Sequence, residues 1–564
     1  MPTKAVVTPP ILFRRSYRVR RVRRVVLIAI VLLACAAPAR ASLPFHSGQP
    51  ILPVTRSPER LLDYRHALVG LDPARGPGAA FAMRQAGGRL IDPQLQLWSV
   101  PSHQASRMLP GLRAAGIVSS VTPDYPLRPL GAIASTSFCT DYFCPQEWWI
   151  HAVGADIWTP PGPGVPITMI DSGVDLQHPE FLGRPDTTAL NPQTISARED
   201  ELHGTATASI AAAPANLGSD QANPSMEGIY PQAKLQIWDA SPNGVLTVGG
   251  EIAGLTAAMR HGRGVINLSI GGSDRIAIEE HAILAAFASG QLVVASAGND
   301  REQGSPRSYP ASFAHVLTVG ATDENNRYTY FSSASPDMDL AAPGQDILVA
   351  VPKIWNSSGY EPLDGTSFSA PLVSGAAAAV WTARPSLTNT QLFEVMRRSA
   401  HQVSGRGWNR NTGYGILDVN AAMTRKPPAT DPQEPNEDIY LVKPNGLFRL
   451  GHARIRGALA AHLEQGDDPE DVYRAYLPAH RRLVVSLRPS ANVNLEVWGS
   501  RTRSVFERGA AARRDLLGLS AHRGKRPERV IVHGGGAGQY VYVDAFLAKS
   551  AREASYTLSV SALR

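Results

Sequence analysis

The chain has 564 residues, 43% of them hydrophobic and 18% charged, which is material for three or four globular domains with large cores. Its formal charge of +7 is concentrated at the start, where Lys4, Arg14, Arg15, Arg18, Arg20, Arg21, Arg23 and Arg24 precede residue 25 with no acidic residue among them. Removing those eight cations and Arg40 leaves about −2 from Ser42 onward, which excludes the basic folded surface of a nucleic-acid binder.

The basic stretch runs into an apolar segment, 25–37, and then into Ala39-Arg40-Ala41. This reads as a secretory signal peptide over residues 1–41 and predicts an extracellular protein. Thirteen apolar residues fall short of the roughly 20 that cross a bilayer, so no membrane span is expected. Leu32-Leu33-Ala34-Cys35 loosely matches a lipoprotein cleavage box, and the alternative is a lipid anchor through Cys35. Beyond the signal only Cys139 and Cys144 remain. Export permits a disulfide between them, and two free thiols are the alternative.

Residues 56–130 predict a small α+β unit, with strands over 66–71 and 95–100, a helix over 106–116 and a further strand from Ile117. From 146 to 425 short β-rich runs alternate with Ala-rich helical stretches. Strands are expected over 167–171, 235–239, 265–269, 292–296 and 316–320. Helices are expected over 203–213, 250–262, 277–289, 367–382 and 389–399. Such alternation predicts an α/β fold, an open parallel sheet with helices on both faces, whose working groups sit beyond the carboxyl ends of the strands. A polar, proline-rich linker covers 426–436. Over 437–564, short runs at 483–487, 493–498, 530–532, 540–546 and 556–560 predict a β-sandwich.

Three segments stand out together: Asp171-Ser172-Gly173-Val174-Asp175 with His178-Pro179, then His203-Gly204-Thr205, then Gly365-Thr366-Ser367-Phe368-Ser369-Ala370-Pro371. Singly each has a dull explanation, because Asp at a strand end and Ser at a helix start are usually caps. Together they supply what nucleophilic catalysis needs. A serine hydroxyl attacks once an imidazole takes its proton, and a carboxylate fixes that imidazole's tautomer and stabilises its charge. Ser296-Ala297-Gly298-Asn299 adds an amide donor for the oxyanion of a tetrahedral intermediate.

These segments, in the order Asp, His, Asn, Ser, resemble the subtilisin family. Gly228-Ile229-Tyr230-Pro231, 265–271, Ala341-Ala342-Pro343-Gly344 and Gly413-Tyr414-Gly415 extend the likeness across about 146–425. The resemblance implies a serine endopeptidase with Asp171, His203 and Ser367 as catalytic triad and Asn299 in the oxyanion hole. It also implies a substrate-binding cleft of Ser269, Ile270, Gly271, Ala297, Gly298 and Ser308. Ser308, a small residue, falls at the base of the primary pocket and implies a preference for medium or large uncharged side chains. Protein or peptide substrates follow as partners, and no cofactor is required for the chemistry. Leu202 and Ala206 depart from the family's common Gly and His. Glu180 matches a position that can ligate calcium as Asp in relatives, which leaves a structural calcium open and its ligands unassigned.

Residues 56–130 are similar to subtilisin propeptides, which implies an intramolecular inhibitor cut off between about Asp124 and Ser137. Residues 431–564 look like a pre-peptidase C-terminal domain, through Glu434-Pro435-Asn436-Glu437, Asp467-Asp468-Pro469-Glu470-Asp471-Val472-Tyr473 and the ending Tyr556-Thr557-Leu558-Ser559-Val560. Those acidic residues read as a solvated turn in preference to a cation site, and 508–526 reads as a solvated basic loop. His533-Gly534-Gly535-Gly536 matches an esterase oxyanion loop, but no G-x-S-x-G elbow accompanies it, so it reads as a turn.

Overall fold

The computed structural model describes residues 65–563 except 73–78, 94, 125–127, 130–132, 135–146, 156–161, 196–198, 215–223, 404–406, 430–432, 443–455 and 508. The signal segment with Cys35, the cysteines Cys139 and Cys144, and residues 430–432 of the linker therefore lie outside the described residues. No helix among the described residues is long and apolar enough to cross a membrane.

The N-terminal part comprises β1 (His66–Leu71), α1 (Ala80–Gln85), β2 (Arg89–Asp92), β3 (Leu97–Pro101), α2 (Ser102–Ala114) and β4 (Val118–Pro123). Its antiparallel sheet runs β2-β3-β1-β4. Two two-residue strands follow, β5 (Arg128–Pro129) and β6 (Ile133–Ala134).

The central part holds α3 (Trp148–Ala152), β7 (Pro166–Asp171), β8 (Thr187–Ala189), α4 (Glu199–Ala212), β9 (Lys234–Asp239), α5 (Val248–Arg260), β10 (Val265–Leu268) and β11 (Ile270–Gly271). It continues with α6 (Ala277–Ala288), β12 (Leu292–Ser296), β13 (Val316–Thr322), β14 (Leu340–Pro343), β15 (Ile347–Ala350), β16 (Tyr360–Asp364), α7 (Thr366–Ala383), α8 (Asn389–Ser399) and α9 (Val419–Thr424). Seven strands form one sheet in the order β14-β13-β12-β10-β7-β9-β8, and every pair in it is parallel. Both faces are apolar because successive side chains point to opposite sides. Ile167, Met169, Leu292, Val294, Leu317 and Val319 face the core that holds α4 and α7. Ile170, Ile266, Leu268, Val293 and Ala295 face the core that holds α5 and α6, which Leu68, Ile91 and Leu97 of the N-terminal sheet complete.

The C-terminal part is β17 (Arg456–Glu464), β18 (Glu470–Leu477), β19 (Arg482–Pro489), β20 (Val493–Trp498), α10 (Gly509–Asp515), β21 (Leu516–Ser520), β22 (Glu528–His533), β23 (Gln539–Leu547) and β24 (Glu553–Leu563). Two four-stranded antiparallel sheets, β17-β24-β19-β22 and β18-β23-β20-β21, share one apolar interior, as a sandwich does.

Two expectations fail here. The acidic run after residue 466 is not a solvated turn: Asp467, Asp468, Glu470 and Asp471 are all buried, and the last two open β18. The basic stretch 508–526 is not simply a loop, because α10 and β21 occupy 509–520. The expected helix over 106–116 begins earlier, at Ser102, directly after Pro101.

Candidate active site

Asp171 is the last residue of β7, and it is buried. Its Oδ1 accepts from the Ser172 amide at 2.7 Å and faces Nδ1 of His203 at 2.7 Å. The other oxygen, Oδ2, accepts from the Thr207 hydroxyl at 3.0 Å. With both oxygens occupied the carboxylate cannot rotate, and the bond to His203 Nδ1 leaves Nε2 as the basic nitrogen. His203 stands on α4, whose next residue must be glycine. A Cβ on Gly204 would lie 2.1 Å from the Gly173 carbonyl oxygen.

Ser367 is the second residue of α7 and fully buried. Its hydroxyl donates to the Ser269 carbonyl at 3.3 Å, and the Ser269 hydroxyl donates back to the Ser367 carbonyl at 2.8 Å. His203 Nε2 makes no hydrogen bond. The expected serine–histidine bond is therefore not closed in this conformation, where the nucleophile is turned toward Ser269. Such bonds commonly tighten only in the substrate complex.

Asn299 follows β12. Its Oδ1 accepts from the Thr366 amide at 3.0 Å and from the Thr366 hydroxyl at 2.9 Å. The side-chain amide nitrogen is thereby directed away from Thr366, and the Ser367 amide lies in the first turn of the same helix, where the helix dipole favours negative charge. Ala297 and Gly298 lead to it. Gly298 has φ +101°, which glycine adopts at low cost, and a Cβ there would touch that of Ser308 at 3.4 Å. Gly272 and Tyr309 exchange backbone hydrogen bonds of 2.8 Å, which seats Ser308 beside the strand of Ser269, Ile270 and Gly271.

The described backbone also lies along this cleft. β5 pairs antiparallel with β11, Pro129 opposite Ile270 and Arg128 opposite Gly271. β6 pairs with β16, Ile133 opposite Asp364 and Ala134 opposite Leu363, just ahead of Ser367. The Asp124 carboxylate accepts from the Gly249 amide at 3.0 Å, and Asp92 accepts from the Thr256 hydroxyl at 2.6 Å. Sequence reasoning missed Thr207 and Asp92, and it named Thr366 and Asp124 without the contacts they make. Each acts through a partner far away in the chain, which no local motif announces.

Glu180 is buried and accepts from the Met226 amide at 2.8 Å and the Tyr360 hydroxyl at 2.6 Å, and burial pushes its carboxyl up to about 7. Among the described residues, two other groups bring metal-ligating atoms within 4.8 Å of one another: His315 with Glu434 and Glu437, and Glu434 with Asp468 and Asp471. In the first, His315 Nε2 is hydrogen-bonded to Glu437. The second is all oxygen, a donor set suited to a hard cation. Beside it the buried Asn436 donates to Asp471 at 2.9 Å and leaves its own Oδ1 without a hydrogen-bond partner.

Residues 162–415 match a family model described as Subtilase family. Over 267 residues the chain is 30% identical to Subtilisin amylosacchariticus of Bacillus subtilis subsp. amylosacchariticus, covering 46% of this chain and 66% of that one. Over 265 residues it is 33% identical to Subtilisin Savinase of Lederbergia lenta, covering 46% of this chain and 91% of the relative. Among solved structures, fervidolysin from Fervidobacterium pennivorans, a keratinolytic enzyme related to subtilisin, is similar in fold. The TM-score is 0.55 at 19% identity, covering 89% of this chain and 96% of that chain.

Proposed function

Because the chain belongs to the subtilase family, we propose that it is a secreted serine endopeptidase, made as a precursor that inhibits and then cuts itself. The observation that carries this reading is the pairing of β5 and β6 on either side of Ser367. A protease of this kind binds its substrate as an added strand. The chain's own segment takes that place, and the bond offered to Ser367 lies between Pro129 and Ile133. The part before it, held by the Asp124 and Asp92 contacts, acts as the inhibitor. Covalent attachment gives it a high effective concentration before the cut.

The chemistry follows from the side chains. Ser367 Oγ turns from the Ser269 carbonyl to His203 Nε2, gives up its proton there and attacks the substrate carbonyl. Asp171 holds the Nδ1–H tautomer and stabilises the imidazolium. The Asn299 side-chain amide and the Ser367 backbone amide donate to the oxyanion. His203 then protonates the leaving amine, and water hydrolyses the acyl-enzyme by the same steps reversed. The small side chain of Ser308 favours medium or large uncharged residues before the cut.

We propose in addition one structural calcium, held by Glu434, Asp468 and Asp471 and serving stability, not catalysis. Calcium added to chelator-treated protein should raise its melting temperature, and an unchanged value would remove the site. For the activity, the matured protein should hydrolyse casein and take up a fluorophosphonate at Ser367. Labelling with cleavage of short esters but not of casein would contradict an endopeptidase.

A further inference from the structure

Pro371 stands inside α7, four residues after Ser367. A helical carbonyl accepts from the amide four residues on, and proline carries no amide hydrogen. The bond that α7 would bring to the Ser367 carbonyl therefore has to come from outside the helix. The Ser269 hydroxyl supplies it, at 2.8 Å. A carbonyl only accepts, so Ser269 Oγ gives its single proton there and must itself accept. It accepts from Nδ2 of Asn267 at 3.0 Å. Asn267 Oδ1 is thereby turned the opposite way, and the Ser374 hydroxyl donates to it at 3.0 Å. Asn267, Ser269, Ser367 and Ser374 are all fully buried, where a polar group left unbonded is costly.

The place of Asn267 gives this chain of bonds a meaning. It lies in β10 among Val265, Ile266 and Leu268, a buried central position where an apolar side chain would ordinarily pack. Alternation along the strand puts it on the face of Val265, the one that holds α7. From there the bonds grip α7 at two points, Ser374 directly and Ser367 through Ser269. Those two residues lie about 10 Å apart along the helix axis, and a spacing of two turns returns to the same helix face. The grip at Ser367 is on the residue whose hydroxyl attacks and whose amide lies at the oxyanion hole. Asn267 acts on it only through the Ser269 hydroxyl.

We propose that Asn267 is a positioning residue for the nucleophile. By keeping the Ser269 hydroxyl a donor to the Ser367 carbonyl, it sets how the first turn of α7 sits against Ser269. It thereby fixes where the Ser367 hydroxyl and backbone amide stand when substrate arrives. A misplacement of about 1 Å in such groups costs on the order of 10²-fold in rate. This rests on the endopeptidase reading.

The test uses the matured product and one peptide amide substrate, with active sites counted by complete fluorophosphonate labelling so that unfolded protein does not enter kcat. Asn267→Leu is close in size and can neither donate nor accept. Its kcat per labelled site should fall at least about 10-fold, with KM within about 2-fold of wild type. Ser269→Ala should do the same, because its carbonyl, which is main chain, is kept. In the double variant Asn267→Leu/Ser269→Ala the loss should be no greater than in Ser269→Ala alone. A residue that only supported the fold would lower the melting temperature without separating kcat from KM, and its effect would multiply with that of Ser269→Ala. Should Asn267→Leu fail to fold, Ser374→Ala releases the other end of Asn267. It should lower kcat by about 3-fold or more, and have no effect on the Ser269→Ala background. Cleavage of the peptide by the wild type needs only the protease reading and keeps the two claims apart. Unchanged kcat per site, or losses that multiply with that of Ser269→Ala, would overturn the role of Asn267.

Discussion

Thr366 grips the carbonyl oxygen of Asn299 with its amide and its hydroxyl, so the amide nitrogen is aimed before any substrate arrives. Asn299→Ala should keep KM and lose about 10²–10³ in kcat, a magnitude measured on subtilisin itself, a relative of this chain. Unchanged kcat would remove Asn299 from the oxyanion hole. At this scale the sequence was most informative. Asp171, His203, Asn299 and Ser367, the proposed triad and oxyanion donor, each carry a short motif of small residues. Thr207 escaped notice because a hydroxyl bonding a carboxylate is ordinary chemistry until the fold brings it to Asp171.

Elements were legible in proportion to their burial pattern. The central strands β7, β10, β12 and β13 are mostly apolar and almost continuously buried, the signature of a parallel sheet covered on both faces. The edge strand β8, Thr-Thr-Ala, has no such run, and β14, Leu-Ala-Ala-Pro, looked like a motif segment. β18 was hidden because its carboxylates are buried against other polar groups. Asp438, at the entry to the sandwich, shows what such burial does. Its Oδ1 accepts from the Ile439 and Val505 amides at 2.7 and 2.9 Å, and burial lifts its carboxyl from 3.8 to about 7. Between those values the unfolded chain loses a proton that the folded one keeps. The stability Asp438 contributes is therefore complete below pH 3.8 and is lost as pH rises through 7. Asp438→Asn keeps the acceptor and cannot ionise. Its melting temperature relative to wild type should climb from pH 4 to 7 and then level off, whereas parallel curves would mean that Asp438 is charged when folded.

The docking of the sandwich on the central part could not be read from the sequence at all, because it depends on single side chains from distant segments. Arg397 on α8 is buried between Asp339 at 3.3 Å, Glu464 at 3.3 Å, Asp467 at 3.6 Å and Glu394. Arg552 reinforces it through Glu464 at 2.9 Å and the Pro336 carbonyl at 2.9 Å, and it stacks on Trp408. Removing one partner of such a network leaves charges buried without compensation. Arg397→Met should cost about 3 kcal/mol or more, measured as an earlier first transition in denaturant, and an unchanged midpoint would mean that the contact carries no stability. The same chain pairs β5 with β11 and β6 with β16, and the proposed self-cleavage turns on whether Ser367 cuts between those two strands. The most direct measurement is the intact mass of Ser367→Ala beside wild type, each expressed alone in a protease-deficient host. The wild type should lose everything up to a bond between Pro129 and Ile133, and the variant should stay uncut there. A variant that matures to the same mass as the wild type would contradict self-cleavage.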